Sequence, residues 1–217
     1  MNQFFTKSQQ ALQAEFGTEA LAERLEAGIV RDSLAREQIR FVESVDMFFL
    51  ASVDEQDRPT VSYKGGAPGF VRVIGSQTLA FPSYDGNGMF HSMGNIQSCS
   101  SIGLLFINFE RPQRLRVQGE ARLLRDGPIL SGYPGAALAV EVRVTDVWVN
   151  CPRYLHTMQK VDSSSYVPDK DGNSRIALWK RIDGMQDVLN AQDRDAAQAA
   201  GLITEAEYAA MIGAGEV

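Results

Sequence analysis

Two stretches of this 217-residue chain bring together the residue types that hold an anion. Arg58-Pro-Thr-Val-Ser-Tyr-Lys-Gly-Gly66 and, some fifteen residues later, Phe81-Pro-Ser-Tyr-Asp-Gly-Asn-Gly-Met-Phe-His-Ser-Met-Gly-Asn95 each follow an apolar run of strand character. Each supplies Gly backbone, small hydroxyls and an amide or ammonium, the donors that a phosphate-bearing ligand requires. Asp85-Gly-Asn-Gly88 precedes a helical pattern, but the surrounding signals are antiparallel and a GxGxxG dinucleotide site needs a βαβ unit. That class of site is therefore not expected. The segment can still present N–H donors at a helix start, and taken alone it is equally a turn with Gly in left-handed geometry. A third group lies on one strand: Arg114, Arg116 and Gln118 share a face, with Leu115, Val117 and Gly119 on the other. Two guanidiniums and an amide suit a phosphate or the polar edge of a ring, the alternative being an exposed polar face with surface ion pairs.

Other chemistry is poorly supplied. Ser62, Ser92, Cys99 and Cys151 are nucleophiles by type only, and neither His91 nor His156 lies in a signature that would organise a triad. Each alone reads as a packing or surface residue. Asp54, Glu55 and Asp57 share one polar turn and read as solvated. With two cysteines outside any CxxC pattern and two histidines, neither a structural metal nor a disulfide is expected. A net charge of −6 argues against a nucleic-acid partner, which calls for a basic face. No run approaches the roughly 18–20 apolar residues of a membrane span, and the N-terminus lacks the charged and apolar regions of a signal peptide, so the expectation is a cytoplasmic protein.

The elements that must position these residues follow from periodicity. Ala11, Leu12, Phe16, Leu21 and Leu25 recur at mostly helical intervals, with Gly17-Thr18 offering a break and a new cap, so residues 8–27 read as one broken or two short helices. Ser33 is the expected cap of a further helix over 34–45, with Glu37 near the reciprocal position and Ile39, Phe41, Val42 and Val45 on its buried side. Strands are expected at 47–53 and 59–63 around a polar turn, then at 70–74 and 78–81 around Gly75-Ser-Gln77. Met89, Met93 and Ile96 predict a short helix, and two long strands follow at 102–109 and 114–124. The seventh, 137–149, alternates Leu138, Val140, Val142 and Val144 inward. Seven antiparallel strands with few helices predict a barrel or sandwich. Residues 162–174 read as a mobile surface loop, and Trp179, Ile182, Met185, Val188 and Leu189, then 196–212, as amphipathic helix.

Read in order, Asp57–Gly66, Gly69–Ile74, Thr78–Met89, Gly94-Asn-Ile96, Gly103–Ile107, Arg114–Gly119 and Asn150-Cys-Pro-Arg-Tyr154 resemble the pyridoxamine 5′-phosphate oxidase-like family of FMN-binding split-barrel proteins. The resemblance covers about residues 35–155. It implies a six- or seven-stranded antiparallel split β-barrel over 35–155; with the helical patterns at either end, the expectation is a mainly β fold with flanking N- and C-terminal helices, a helical extension over 1–34 and a loop and helical extension over 156–217 packing on the barrel. It also implies a homodimer with FMN in two clefts at the subunit interface. Carried onto this chain, Val61, Ser62, Tyr63 and Lys64 would lie along the ring and ribityl chain, with Lys64 as a phosphate or ring-edge donor. Phe81, Pro82, Ser83, Tyr84, Asn87, Gly88 and Met89 would flank the isoalloxazine, and Ser92 and Asn95 would approach the phosphate. Arg114 stands where the oxidases proper have a Gln, and Arg116 matches the Arg two positions on. Asn150, Cys151, Arg153 and Tyr154 would approach the ring from the partner subunit.

The chain departs from the pattern in two places. Cys99-Ser100 replaces the usual Asn-Pro, and Trp179 is followed four residues on by Asp183 where the oxidases have Arg, which removes the expectation of pyridoxamine phosphate oxidation itself. The expected activity is FMN-dependent oxidoreduction with a small-molecule electron donor such as NADH or NADPH, its protein catalytic residues unassigned. A non-catalytic FMN carrier or redox-responsive module is the alternative. A haem-handling protein on the same fold is a third reading, with His91 and His156 as its axial ligands.

Overall fold

The computed structural model describes residues 4–215. These divide between Val161 and Asp162 into two compact units. In the first, Lys7–Glu15 forms α1, closed by a capping box in which Gln9 N donates to Thr6 Oγ1 (3.4 Å) and Thr6 N to Gln9 Oε1 (2.8 Å). Gly17, at φ +64°, breaks the chain, and α2 runs Glu19–Ile29, so the two-helix reading of this region holds. The next helix, α3, starts at Arg36 rather than 34 and ends at Ser44. Ser33 is not its cap. The buried Leu34 donates its N–H to Ser76 O (2.7 Å) and is held by that loop, so the helix begins where Gln38 Oε1 accepts from Ala35 N (2.8 Å).

The strands are β1 (Met47–Val53), β2 (Pro59–Gly65), β3 (Arg72–Gly75) and β4 (Thr78–Tyr84), then helix α4 (His91–Ser98), β5 (Ser101–Asn108), β6 (Gln113–Leu124), a five-residue helix α5 (Gly127–Ser131) and β7 (Ala136–Asn150). All pair antiparallel in one sheet of order β2-β1-β5-β6-β7-β4-β3. Strand β3 is shorter than expected because Phe70 and Val71 leave the ladder to enter the core, Phe70 stacking on Phe48 at 5.8 Å. The inward alternation of β7 holds through Val144. Opposite Gln118 and Gly119 the register then skips Thr145, a bulge that returns Val147 to the buried face. Gly119 is required there, since a Cβ would lie 2.6 Å from Arg143 O.

One face of this sheet is apolar and closes on itself. Phe48 of β1 meets Phe106 of β5 at 5.2 Å between ring centroids, and also Phe81 of β4 at 5.0 Å. Because β5, β6 and β7 separate β1 from β4 in the hydrogen-bonded order, that contact requires a sheet curled into a barrel whose edge strands, β2 and β3, do not pair. Leu50, Leu79, Leu104, Leu115, Val117, Val140 and Val142 fill the interior, and α3 (Phe41, Val42) and α4 (Met93, Ile96) pack on the same core. The fold is mainly β, as read from the sequence.

The second unit corrects the expectation of an amphipathic helix around Trp179. Two 3-10 turns stand there, Leu178–Arg181 and Asp183–Met185. Between them Ile182 is extended and bridges to Ile203, while Gln186 Nε2 donates to the carbonyls of Lys180 and Ile182, so helix cannot propagate. Helices α6 (Ala191–Ala200) and α7 (Glu205–Gly213) replace the single run expected over 196–212, separated at Gly201 with φ +85°. A buried Lys180 Nζ, 2.8 Å from Asp193 Oδ1, ties the first 3-10 turn to α6. Among the described residues no helix is long and apolar enough to cross a membrane.

Candidate functional site

Cross-strand register decides which way each residue of β2 faces. Thr60, Ser62 and Lys64 stand opposite Ser52, Leu50 and Phe48, whose side chains are buried in the barrel, so this trio faces inward. Val61 and Tyr63, opposite Ala51 and Phe49, face outward and are 69% and 62% exposed. The bonds Asp54 N→Arg58 O and Gly66 N→Asp46 O mark the even-numbered residues of β2 as those bonded to β1. The backbone N–H and C=O of Val61 and Tyr63 therefore point to the open edge, as does Pro59, which has no N–H to offer.

Helix α4 packs beside β1, and its polar side chains complete the inner face. Asn95 Nδ2 donates to Ser52 Oγ (3.0 Å) and Thr60 Oγ1 (3.1 Å), which are 3.1 Å from each other. One turn earlier, Ser92 Oγ lies 2.9 Å from Ser62 Oγ. The start of α4 has no side-chain cap: Phe90, left-handed at φ +50°, occupies the cap position, so the first-turn N–H groups and the positive end of the helix dipole remain available. Lys64 is half-buried, and desolvation alone holds its ammonium pKa below the ordinary lysine value. Among the described residues no carboxylate pairs with it, whereas Arg58 is committed to Asp54 at 2.7 Å. A half-buried cation without a counter-ion, two hydroxyls and an uncapped helix start form a set of donors fitted to an anion.

The second segment contributes unevenly. Phe81 lies wholly in the core against Phe48, and Pro82 is buried; Ser83 and Tyr84 are half-buried beyond the point where β3 stops pairing with β4. Burial raises the Tyr84 phenol pKa, with Arg72 opposing it. Asn87 Oδ1 accepts from Met89 N (3.1 Å) around Gly88 at φ +74°, leaving Met89 exposed.

Arg114 and Arg116 occupy the opposite face of β6 from Leu115 and Val117, as their alternation implied, and so the opposite face of the sheet from Lys64. Arg116 stands across from Trp148 and Arg114 across from Asn150. Arg114 Nη2 donates to Cys151 O (2.5 Å). Cys151, Arg153 and Tyr154 are exposed, Tyr154 at φ +67°. Beyond them the chain is fastened by Met158 N→Phe109 O (3.1 Å) and by Lys160 Nζ, 2.5 Å from Asp46 Oδ2. Within one chain the candidate residues thus form two groups: Ser62, Lys64, Ser92 and Asn95 inside the hairpin and α4, and Arg114, Arg116, Asn150 and the 151–154 segment on the outer face with Val61 and Tyr63. His91 and His156 are both exposed.

Sequence reading missed Ser52 and Thr60, which hold Asn95, and Trp148, beside the arginines. Thr60-x-Ser62-x-Lys64 is a polar stripe at period two that would have revealed the first group; nothing local marks Trp148.

The pyridoxamine 5′-phosphate oxidase family model matches residues 34–147. No curated protein matches the chain. Among solved structures it is similar to HupZ of Group A Streptococcus (14% identity over 54% of this chain and 94% of that one, TM-score 0.44). It is also similar to a heme storage protein, HutZ, of Vibrio cholerae (16%, 54% and 94%, TM-score 0.36) and an FAD-binding protein of Mesorhizobium loti (12%, 56% and 99%, TM-score 0.37).

Proposed function

This chain belongs to the pyridoxamine 5′-phosphate oxidase family, and from that membership we propose that it is an FMN-binding oxidoreductase working as a homodimer in the cytoplasm. The observation that carries the reading is the inward cluster on β2 and α4. Lys64, Ser62, Ser92 and the uncapped start of α4 present a cation, hydroxyls and N–H groups, and no carboxylate among the described residues pairs with Lys64. That donor set fits the phosphate of FMN. The open edge of β2 supplies backbone donors and acceptors at Val61 and Tyr63 for the ribityl chain and ring, and Tyr84, Asn87 and Met89 lie on the segment leading into α4.

The outer-face group belongs to the same proposal as the partner's contribution. A single chain carries the two groups on opposite faces of its sheet, so a site using both draws them from two chains: the inward cluster of one protomer and Arg114, Arg116, Asn150 and the 151–154 segment of its partner. When bound, FMN supplies two-electron chemistry with a small-molecule donor such as NADPH. The protein's part is to bind and orient: Lys64 holds negative charge, the edge amides of β2 fix the ring, and the outer-face arginines add positive potential.

Titration of the purified protein with FMN, followed by anaerobic addition of NADPH or NADH, tests the reading. The expected result is saturable binding and bleaching of the bound flavin faster than that of free FMN. Binding without reduction across a donor panel would favour a flavin-binding module, and a Soret band on haem addition with no flavin binding would replace the proposal.

A further inference from the structure

Met93 and Ile96 pack α4 on the apolar core, but that attraction is non-directional and leaves open where along the barrel the helix sits. The directional contacts are two polar bridges from α4 to the inner face of β2. Asn95 Nδ2 donates to Ser52 Oγ and Thr60 Oγ1, which are themselves 3.1 Å apart, so the three side chains close a triad. Ser92 Oγ, 2.9 Å from Ser62 Oγ, makes the second bridge. Ser52, Ser92 and Asn95 are buried. Side chains of the same shape without the polar atoms would fill this space at little cost in stability, whereas buried polar contacts select one register over its neighbours.

The order of the two bridges gives the helix its direction. Contacts met as Thr60 then Ser62 along β2 are met as Asn95 then Ser92 on α4, so helix and strand run in opposite senses. The start of α4 therefore points toward Lys64, the next inward residue of β2. A slip of the helix by one turn, about 5.4 Å, would break both bridges and carry the first-turn N–H groups away from that end of the strand. We infer that Asn95, with Ser52 and Thr60, is a positioning residue that sets the register of α4 on β2, so that the helix start and the Lys64 ammonium act on one phosphate group. Both hydrogens of the Asn95 amide are spent inside the chain, so its effect on a ligand passes through the helix it places. The inference rests on the flavin reading above and deepens it by naming what makes the site select a flavin that carries a phosphate.

The test uses the full chain with FMN and riboflavin, which differ only by the phosphate, and reads the ratio of their dissociation constants from quenching of flavin fluorescence. The wild-type protein is expected to bind FMN at least about 10-fold more tightly, the worth of one charge-assisted hydrogen bond. In Ser52→Ala/Thr60→Val/Asn95→Leu, which replaces the triad by apolar side chains, the ratio is expected to fall below about 3 while riboflavin affinity is unchanged. Thr60→Val alone is expected to lower the ratio about threefold and Thr60→Ser, which keeps the hydroxyl, to retain it; this pair decides the matter if the triple variant does not fold. A wild-type ratio in the triple variant, or equal ratios in Thr60→Val and Thr60→Ser, would overturn the inference and leave the flavin reading intact. Equal losses of both flavins would overturn it also, since the triad would then hold the fold and not the phosphate site. Equal binding of FMN and riboflavin by the wild-type protein would remove the phosphate from the Lys64 cluster, and this inference with it.

Discussion

Replacing Lys64 by Met separates binding from folding, because the two effects have opposite signs. In the free protein Lys64 is a half-buried ammonium whose pKa is depressed by desolvation, with no carboxylate partner among the described residues. A cation in that position opposes folding while it is charged, and Met keeps the length of the stem without the charge. Lys64→Met is therefore expected to leave the melting temperature of the free protein unchanged or slightly higher. The phosphate of FMN loses a charge-assisted hydrogen bond, worth about 1.5–3 kcal/mol, so Kd rises roughly 10- to 150-fold. The pH dependence has a definite sign. Since the folded-state pKa lies below the unfolded one, the folded free protein binds fewer protons between the two values, and its stability rises with pH across that window. Bound phosphate favours the protonated form. FMN affinity is thus highest below the depressed pKa of Lys64 and falls as pH rises through it, and this fall is absent in Lys64→Met. Fluorescence titration across the alkaline range, with calorimetry on the free proteins, measures both. A variant that melts earlier yet binds FMN as tightly as wild type would refute the reasoning, since Lys64 would then be a structural residue.

Three further outcomes follow from the geometry. Asn95→Ala removes the donor shared by Ser52 and Thr60 and should cost about 1–3 kcal/mol of stability, read as a lower denaturant midpoint; an unchanged midpoint would mean that α4 is not fixed through this residue. Gly119→Ala drives a Cβ to 2.6 Å from Arg143 O at the bulge, and because backbone cannot yield cheaply there a loss of about 2 kcal/mol or more is expected; a neutral effect in chemical denaturation would show that the β6–β7 ladder can shift. Tyr133→Phe deletes the hydroxyl that donates to Ala80 O (2.8 Å) and should lower stability by about 1–2 kcal/mol. It also removes the alkaline spectral transition of a phenol whose pKa burial pushes up to about 12, and persistence of that late transition would reassign it to another tyrosine.

The parts of this protein that were legible in its sequence are those governed by local periodicity. Short apolar runs between turn signals, with alternation at period two on the last, located the seven strands, and parity put Arg114 and Arg116 on a face separate from Leu115 and Val117, as found. What escaped depends on partners distant in the chain. The start of α3 moved because Leu34 is claimed by Ser76, a contact no capping pattern at Ser33 could reveal. The turn around Ile182 is extended because it bridges to Ile203, although its apolar spacing reads as helix. Phe81, two residues before Ser83 in a Gly-rich motif, is buried because it meets Phe48 of β1 across the curled sheet. For the proposed site, residue types point to an anion cradle, but the burial of Lys64 with no carboxylate partner among the described residues exists only once the strands are paired.

The position of the phosphate is the most direct test of the proposed site. A crystal structure of the protein with FMN is predicted to place the phosphate at the start of α4, within hydrogen-bond distance of Lys64 Nζ and the Ser62–Ser92 hydroxyl pair, with the ring approached by Arg114 and Asn150 from a second chain. Flavin bound with its phosphate on the outer-face arginines, or a site completed by one chain alone, would contradict it.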